Sequence, residues 1–297
     1  MLNVRSVLFA LLAAAPAAFA ADQSAAEVCD ACRVEKFATC GGFLEGMTVA
    51  PDGGLWALDV TGDRILNIST RGECVERGKT GGLPNGAKFH KDGRLFIAGS
   101  KGLLTFDTRT AATAVVVDSF DGKPLTGLND LVFDANGGVY FTVPGGSSLA
   151  RPNGRVFYLP PAATKPQLLS DAIAFPNGIA ITADGRNVLV AEFAAKRILA
   201  LPAPTAQGSF ALTYVYAYTV GGVGADGMTV DSQGRLFAAI FGASEVSVFA
   251  NDGRPLGSIR LPPGAGPMVT NLVVSGDKAL YISEAEKGEI WRVRLEK

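Results

Sequence analysis

Apolar and polar positions alternate along most of the chain in a phrase that is repeated six times. Each copy has a short apolar segment, a tight turn built on residues such as Asp-Gly or Asn-Gly, and a second apolar or aromatic segment. The copies are EGMTVAPDGGLWALD from Glu45, NGAKFHKDGRLFIAG from Asn85, NDLVFDANGGVYFTV from Asn129, NGIAITADGRNVLVAE from Asn177, DGMTVDSQGRLFAAI from Asp226 and NLVVSGDKALYISE from Asn271. Two apolar segments around such a turn indicate a β-hairpin. The pattern therefore predicts six hairpins.

Further strands follow each hairpin and set the length of the repeat. A third apolar segment comes after every hairpin, for example RILNIS or RILALP, and a fourth, such as AVVVDS or PLGSIRL, usually precedes the next hairpin. The first residues of successive copies are 40, 44, 48, 49 and 45 residues apart, which is the length of one four-stranded propeller blade. We therefore expect an all-β fold, a six-bladed β-propeller that occupies residues 21–297 as one domain.

The sixth repeat contains only three strands before Lys297. The segment VEKFATC, from Val34 to Cys40, precedes the first hairpin and has no other partner. An edge strand without a partner is unfavourable because its backbone groups remain unpaired. We expect this N-terminal strand to complete the last blade and thereby close the ring.

The first 20 residues have the pattern of a signal peptide. Arg5 precedes an apolar stretch from Val7 to Ala18, and small residues at Ala18 and Ala20 form a cleavage motif. Cleavage would leave 26 basic and 28 acidic side chains, without a second membrane span or a basic tract that could follow phosphates. We expect a secreted or periplasmic protein that neither inserts into a membrane after cleavage nor binds nucleic acid.

The four cysteines lie near the N-terminal end, at Cys29, Cys32, Cys40 and Cys74. In an exported protein they favour disulfides. Haem attachment at the CxxC pair is excluded because Arg33 stands where that motif needs histidine, whereas a four-thiolate zinc site stays an alternative. Three pairings are open, and we favour Cys40–Cys74, which would fasten the start of the ring to blade one, with Cys29–Cys32 as a local loop.

The polar residue at the head of each repeat is the candidate for chemistry. In a propeller the first strand of every blade lines the central axis, so the six heads converge on one channel. They are Glu45, Asn85, Asn129, Asn177, Asp226 and Asn271. Carboxylate and amide oxygens suit a divalent cation, Ca²⁺ above all, since it takes about six to eight oxygen ligands in irregular geometry. A solvated polar channel without metal is the alternative.

Other metals fit the sequence less well. The chain has one histidine, His90, which we interpret as a turn residue, and its cysteines are clustered. These counts disfavour zinc, copper or iron. On the face where the heads lie, long Gly- and Pro-rich loops are expected, and their apolar residues predict a partly hydrophobic channel entrance. These residues are Phe43, Pro144, Phe175, Phe241 and Met268.

Four motifs resemble the family of senescence marker protein (regucalcin), gluconolactonase and luciferin-regenerating enzyme. They are LEGM, LNDLVFDANGGVYFT, FPNGIAITADG and ADGMTVDSQGRL, in this order. The resemblance covers essentially the whole mature chain and implies a six-bladed propeller with a divalent metal held by Glu45, Asn129, Asn177 and Asp226. Propellers of the diisopropylfluorophosphatase type use a similar set of oxygens. Members that act on sugar lactones often have arginine where this chain has Gly127, and blade three lacks the usual acid at Val143.

The resemblance implies a metal-dependent hydrolase, a lactonase by preference, that acts on a small lactone or ester. Asp226 is the candidate general base, because a carboxylate is the available titrating group there. Asn85 and Asn271 are expected to position substrate or water. The segment NVLVAEFAAKRILAL also resembles strictosidine-synthase-like propellers, with Glu192 at the channel mouth as a further substrate contact. The alternatives are a phosphotriesterase or other esterase on the same metal, a strictosidine-synthase-like propeller, and a binding propeller without catalysis.

Overall fold

Antiparallel strands dominate the structure, a computed structural model that describes residues 28–29, 32–205 and 212–295. The predicted signal peptide, residues 1–20, lies outside the described residues. None of the described residues belongs to a helix with the length and hydropathy of a membrane span. The described strands form six four-stranded sheets and one two-stranded hairpin. This arrangement confirms the predicted six-bladed propeller.

Each blade is a meander in which consecutive strands are neighbours. In chain order, β1 (Val34–Thr39) comes first. Blade one contains β2 (Leu44–Val49), β3 (Leu55–Asp59), β4 (Arg64–Ile68) and β5 (Cys74–Gly78), and blade two contains β6 (Pro84–Phe89), β7 (Leu95–Gly99), β8 (Gly102–Phe106) and β9 (Thr113–Val117). A short hairpin of β10 (Ser119–Phe120) and β11 (Lys123–Pro124) follows. Blade three contains β12 (Leu131–Phe133), β13 (Val139–Val143), β14 (Gly154–Leu159) and β15 (Gln167–Ile173).

The second half of the ring has the same organisation. Blade four contains β16 (Pro176–Ile181), β17 (Asn187–Glu192), β18 (Arg197–Pro202) and β19 (Tyr214–Tyr218), with a short 3₁₀ helix (Phe193–Ala195) after β17; blade five contains β20 (Gly224–Val230), β21 (Leu236–Phe241), β22 (Glu245–Phe249) and β23 (Pro255–Arg260); blade six contains β24 (Val269–Val274), β25 (Ala279–Glu284) and β26 (Glu289–Arg294).

The apolar core lies between the blades. The buried side chains of the described residues form six clusters, and each cluster combines residues from two neighbouring blades. Phe141 and Phe157 of blade three, for example, pack with Phe96 and Leu103 of blade two. Every blade therefore depends on both neighbours for burial of its two faces, because a single four-stranded sheet has two apolar faces to cover.

The N-terminal strand closes the ring, as the sequence predicts. Strand β1 pairs antiparallel with β26, from Val34 opposite Val293 to Thr39 opposite Glu289. Lys36 forms an ion pair of 2.5 Å with Glu289 across this seam.

Both predicted disulfides are present. Cys40 bonds to Cys74 at the start of β5, and Cys29 bonds to Cys32. The first bridge fastens the end of β1 to the outer strand of blade one, next to the point where the ring closes. The cysteine positions therefore agree with structural bridges rather than with a four-thiolate zinc site.

Candidate active site in the central channel

The inner strands of neighbouring blades approach one another so closely that glycine is required at several contacts. Four glycines directly follow a head residue. A Cβ atom at any of them would overlap the head region of the next blade. The contacts are Gly46 with the Asn85 carbonyl oxygen (2.6 Å), Gly86 with the Asn129 carbonyl oxygen (2.6 Å), Gly178 with the Asp226 carbonyl oxygen (2.1 Å) and Gly227 with the Asn271 side chain (2.6 Å). The inner strands thus form a narrow ring in which successive heads are neighbours.

Hydroxyl groups join the remaining two pairs of blades. Thr142 Oγ1 donates a hydrogen bond of 2.7 Å to the Asn177 carbonyl, which links blade three to blade four. Thr270 Oγ1 donates a bond of 2.6 Å to the Leu44 carbonyl, which links blade six to blade one. Every pair of neighbouring blades is therefore joined close to the axis. The strand registers place five of the six predicted heads at equivalent positions: Glu45, Asn85, Asn129, Asn177 and Asp226.

Asn271 is the exception, because the register of blade six differs by one residue from the sequence alignment. Met228 pairs with Ala238 in blade five, and Leu272 pairs with Ile282 at the corresponding position in blade six. The residue two positions before Leu272 is Thr270, so Thr270 and not Asn271 is equivalent to Asp226. The side chain of Asn271 nevertheless reaches the ring, since its Nδ2 donates a hydrogen bond of 3.3 Å to Glu45 Oε2.

Three buried carboxyl groups face this ring. Glu45 is 4% exposed, Asp226 is 6% exposed, and Asp130, which follows the blade-three head, is 1% exposed. Burial raises the pKa of Glu45 well above its usual range, and the charges of Asp226 and Asp130 raise it further. Burial and the charge of Asp130 likewise raise the pKa of Asp226, while a hydrogen bond from Asn177 opposes this change. The charges of these groups therefore act on one another, whereas no three of the described His, Cys, Asp or Glu side chains form a group that could hold a metal ion.

Lys88 is the cation that accompanies the three acids. Its Nζ donates a hydrogen bond of 3.2 Å to the Met47 carbonyl. Burial lowers its pKa, whereas the charges of Asp130 and Glu45 raise it. The same ammonium charge partly offsets the effect of burial on the pKa of Asp130. Lys88 interacts with Glu45 and Asp130, and its single charge leaves an excess of negative charge when these two acids and Asp226 are all ionised.

The donor set fits a hard divalent cation. The amide oxygen Oδ1 of Asn177 is buried and has no hydrogen-bond partner, although Asn177 is only 5% exposed and such groups usually find one. It lies beside Asp226, whose carboxyl interacts with the Asn177 side chain. An orphaned amide oxygen among carboxylates is the chemistry that Ca²⁺ selects. Asn129 and Asn85 are partly exposed heads placed at the ring by their backbone contacts.

Glu192, the predicted substrate contact, forms structural contacts within blade four. It ends β17 and is 2% exposed. One carboxylate oxygen accepts a hydrogen bond of 2.8 Å from the Ala174 amide, and the other accepts one of 2.5 Å from Arg197 Nε. Both oxygens therefore hold the loops of blade four together. Asp59 has the same role in blade one, where it binds the Phe43 amide and Arg64.

Sequence reasoning missed Asp130 and Lys88. Asp130 stands where four other repeats have glycine after the head, and its Oδ1 accepts a hydrogen bond of 2.8 Å from the Leu131 amide. In the same way, Asn271 Oδ1 accepts a hydrogen bond of 2.8 Å from the Leu272 amide. Comparison of the residue directly after the head in the six copies would have revealed Asp130. Lys88 is recognisable as a charged residue in an otherwise apolar strand segment.

Comparisons with known proteins show the family of the chain. The profile of the SMP-30/Gluconolactonase/LRE-like region matches residues 19–286. Lactonase drp35 of Staphylococcus aureus (strain MW2) is 32% identical over 231 residues, which are 74% of this chain and 70% of that protein. Lactonase drp35 of Staphylococcus haemolyticus (strain JCSC1435) is 29% identical over 230 residues, with the same coverage of 74% and 70%.

Solved structures share the fold. A gluconolactonase from Xanthomonas campestris has a TM-score of 0.81 and 22% identity, over 92% of this chain and 93% of that one. Regucalcin from Agrobacterium tumefaciens, described as a calcium-binding protein, has a TM-score of 0.72 and 18% identity, over 88% of this chain and 95% of that one. From the profile match and the identity to the staphylococcal proteins, the chain belongs to the SMP-30/gluconolactonase/LRE-like family.

Proposed function

We propose that this protein is an exported lactonase that depends on a divalent cation, Ca²⁺ by chemical preference, in the central channel. The observation that carries the proposal is the buried Asp226 beside the unpartnered Asn177 Oδ1, with Glu45 as a second acid nearby. The staphylococcal relatives are named lactonases, which supports the reaction class. The two disulfides are compatible with an oxidising compartment and support export.

Glu45, Asn129, Asn177 and Asp226 would hold the cation. When bound, it supplies positive charge that stabilises the oxyanion developing at a lactone carbonyl. Asp226 acts as the general base and takes a proton from water as the water oxygen bonds to the carbonyl carbon. When the ring C–O bond breaks, this proton passes to the departing oxygen, so that one lactone and one water give one hydroxy acid.

The remaining residues position and tune these groups. Asn271 donates to the Glu45 carboxylate at 3.3 Å and favours its ionised form. Asn85, at the second head, contributes an amide to the channel wall that can orient substrate or water. Burial of the acids excludes bulk water and strengthens the electrostatic interactions that the reaction uses.

The test is hydrolysis of a lactone panel by purified mature protein, first treated with chelator and then restored with Ca²⁺. We expect activity only after restoration. Asp226→Asn should lower turnover about 10²- to 10⁴-fold with an unchanged circular dichroism spectrum. The exposed Asp252→Asn serves as the matched control. Undiminished hydrolysis by Asp226→Asn would rule out the role of the base.

The same assay separates the other reaction classes. Faster hydrolysis of phosphotriesters than of any lactone would make the protein a phosphotriesterase on the same site. Ligand capture without turnover, in the presence or absence of cation, would make it a binding propeller. Metal-independent condensation of an amine with an aldehyde would indicate strictosidine-synthase-like chemistry.

A further inference from the structure

A second set of residues stands two positions before the heads, counted in blade six from Thr270, the structural equivalent of the other heads. The inner strands of blades one, two, four and six begin at Leu44, Pro84, Pro176 and Val269, so the residues directly before them lie at the end of the channel where these strands start. Four of the six are large and apolar, and two are glycine: Phe43, Leu83, Gly127, Phe175, Gly224 and Met268. We name Phe43, Leu83, Phe175 and Met268 the apolar collar.

The collar is separate from the packed core. The intervening residues, one before each head, are buried in the blades, as shown by Leu44 at 0% and Val269 at 0% exposure. By contrast, Leu83 is 55% exposed, and Phe43, Phe175 and Met268 are all partly exposed. An exposed apolar ring around a polar channel is not required by packing. It therefore presents a surface that a ligand can cover.

A row of aromatic rings extends the collar over blades four and five. A Cβ atom at Gly224 would lie 2.3 Å from the Phe193 carbonyl oxygen and 3.0 Å from its ring, so Phe193 occupies the place of the missing side chain. The Phe193 ring lies 5.5 Å from that of Phe175 and 6.2 Å from that of Phe241. Phe241 in turn forms a β-bridge with Met268.

Phe175 is held in a strained backbone conformation. Its φ is +60°, a left-handed region that bulky residues rarely adopt. Ser147 Oγ accepts a hydrogen bond of 2.9 Å from its amide, and the Phe193 amide donates one of 3.1 Å to its carbonyl. Such strain is stabilised only by surrounding contacts and is concentrated at functional sites. The ring is thus fixed two residues before Asn177.

The collar is open at blade three. Gly127 also has a positive φ, +65°, but a Cβ atom there would have no atom within 4 Å. At Gly224 a neighbouring ring fills the gap, whereas at Gly127 it does not. This opening gives a substituent on a channel-bound molecule room to pass between apolar walls towards solvent.

We infer that the substrate is a lactone with an apolar alkyl or aryl substituent, which covers the collar while the ring oxygens face the heads. This inference rests on the proposed lactonase function. The collar offers no charged side chain and no hydroxyl for a polyhydroxylated ring. Each methylene buried against it should raise kcat/KM by about twofold to fourfold, through KM.

The experiment pairs substrates of equal ring size. Hydrolysis of δ-lactones with hydrogen, butyl or hexyl at the ring carbon next to the ring oxygen is compared with that of glucono-δ-lactone. In parallel, binding of the matching δ-lactams, which resist hydrolysis, is measured by calorimetry on protein loaded with Ca²⁺. We expect affinity and kcat/KM to rise together with chain length, and the polyhydroxylated lactone to be the poorest substrate.

Collar variants test where the chain binds. Leu83→Gln and Met268→Gln replace an apolar side chain with a polar one, and Phe175→Asn replaces the ring with a residue that tolerates a left-handed backbone. Each should reduce the gain in kcat/KM from butyl to hexyl by about twofold or more. Leu168→Gln, on the outer strand β15 and 40% exposed, is the matched control.

The outcomes separate this inference from the function on which it rests. Lactone hydrolysis without any dependence on chain length, or with glucono-δ-lactone preferred, would overturn the inference and leave the lactonase intact. Absence of hydrolysis with lactam binding that still rises with chain length would overturn the lactonase and support the apolar ligand class. A collar variant equal to Leu168→Gln in every measurement would remove that residue from the proposed surface.

Discussion

Asn271 on the last inner strand donates a hydrogen bond of 3.3 Å to Glu45 on the first inner strand, 226 residues earlier. The same contact therefore joins the two ends of the ring and restrains a proposed cation ligand. Close contacts of this kind connect the heads all around the axis. Stability of the ring and geometry of the site are consequently linked.

Replacement of Glu45 by Gln should stabilise the cation-free protein. It removes a buried acid that repels Asp226 and Asp130, which should increase the free energy of unfolding by about 1–3 kcal/mol. The variant should also lose most of the rise in Tm that Ca²⁺ causes in the wild type. Calorimetry with chelator and with Ca²⁺ checks both effects, and the exposed Glu286→Gln should behave as wild type. A lower Tm of Glu45→Gln in chelator would contradict the proposed repulsion.

Cation affinity should fall as the solution becomes more acidic. The pKa values of Glu45 and Asp226 are raised by burial, so protons compete with the cation at a higher pH than at ordinary carboxyl groups. In the cation-free protein these two groups contribute most to stability below the ordinary carboxyl pKa, and their contribution is lost as the pH rises through the folded-state pKa. Calorimetric titration with Ca²⁺ between about pH 5 and about pH 8 measures this. A flat affinity across that range would disprove the expectation.

Removal of the Lys88 charge should tighten cation binding. Its ammonium group interacts with Glu45 and Asp130 and therefore opposes a second positive charge in the channel. We expect Lys88→Gln to lower the Kd for Ca²⁺ severalfold, and this effect should weaken at high salt to the extent that solvent reaches the group. Lys91→Gln, an exposed lysine beyond the same strand, is the matched control. A higher Kd for Lys88→Gln would show that the lysine supports the site.

An added methyl group at Gly178 should disturb both fold and site. Its Cβ would lie 2.1 Å from the Asp226 carbonyl oxygen, so the two inner strands must separate. We expect Gly178→Ala to lower the free energy of unfolding by about 1–3 kcal/mol and to reduce Ca²⁺ affinity, because Asp226 moves. Gly276→Ala, where a Cβ has no atom within 4 Å, should change neither quantity in denaturant titration or calorimetry.

The two disulfides should differ in their contribution to stability. Cys40–Cys74 spans 34 residues and Cys29–Cys32 spans 3. The entropy of loop closure predicts a loss of about 4 kcal/mol for Cys40→Ser with Cys74→Ser, and about 1–2 kcal/mol for Cys29→Ser with Cys32→Ser. Urea denaturation of the two double variants tests the order. Equal losses would show that local contacts, not loop length, determine the effect.

The fold was predictable because its information is local. Each hairpin contains its own alternating pattern and turn, and the spacing of the repeats determines the blade. The pairing of β1 with β26 followed from one missing strand and one spare segment.

The candidate site was predictable only in part. The register of blade six was wrong by one residue, since the sequence Thr270–Asn271 offers two polar residues and no glycine to mark the head. The structural contacts of Glu192 were not predicted, because its partners, the Ala174 amide and Arg197, approach it only after the loops of blade four have folded. Asp130 was missed for a related reason, as its proximity to Glu45 depends on how two separate blades meet. Contacts between repeats are not encoded in any one repeat.

The pairing of β1 with β26 also makes closure of the ring a long-range step in folding. Blade six lacks its fourth strand until β1 pairs with β26. A chain that is synthesised from its N-terminal end can therefore form the strands of five blades before the ring can close. The last step is thus a long-range closure that brings Asn271 to Glu45. Any cation that binds between the heads would favour the closed propeller over the open one. Assembly of the site would then coincide with completion of the fold.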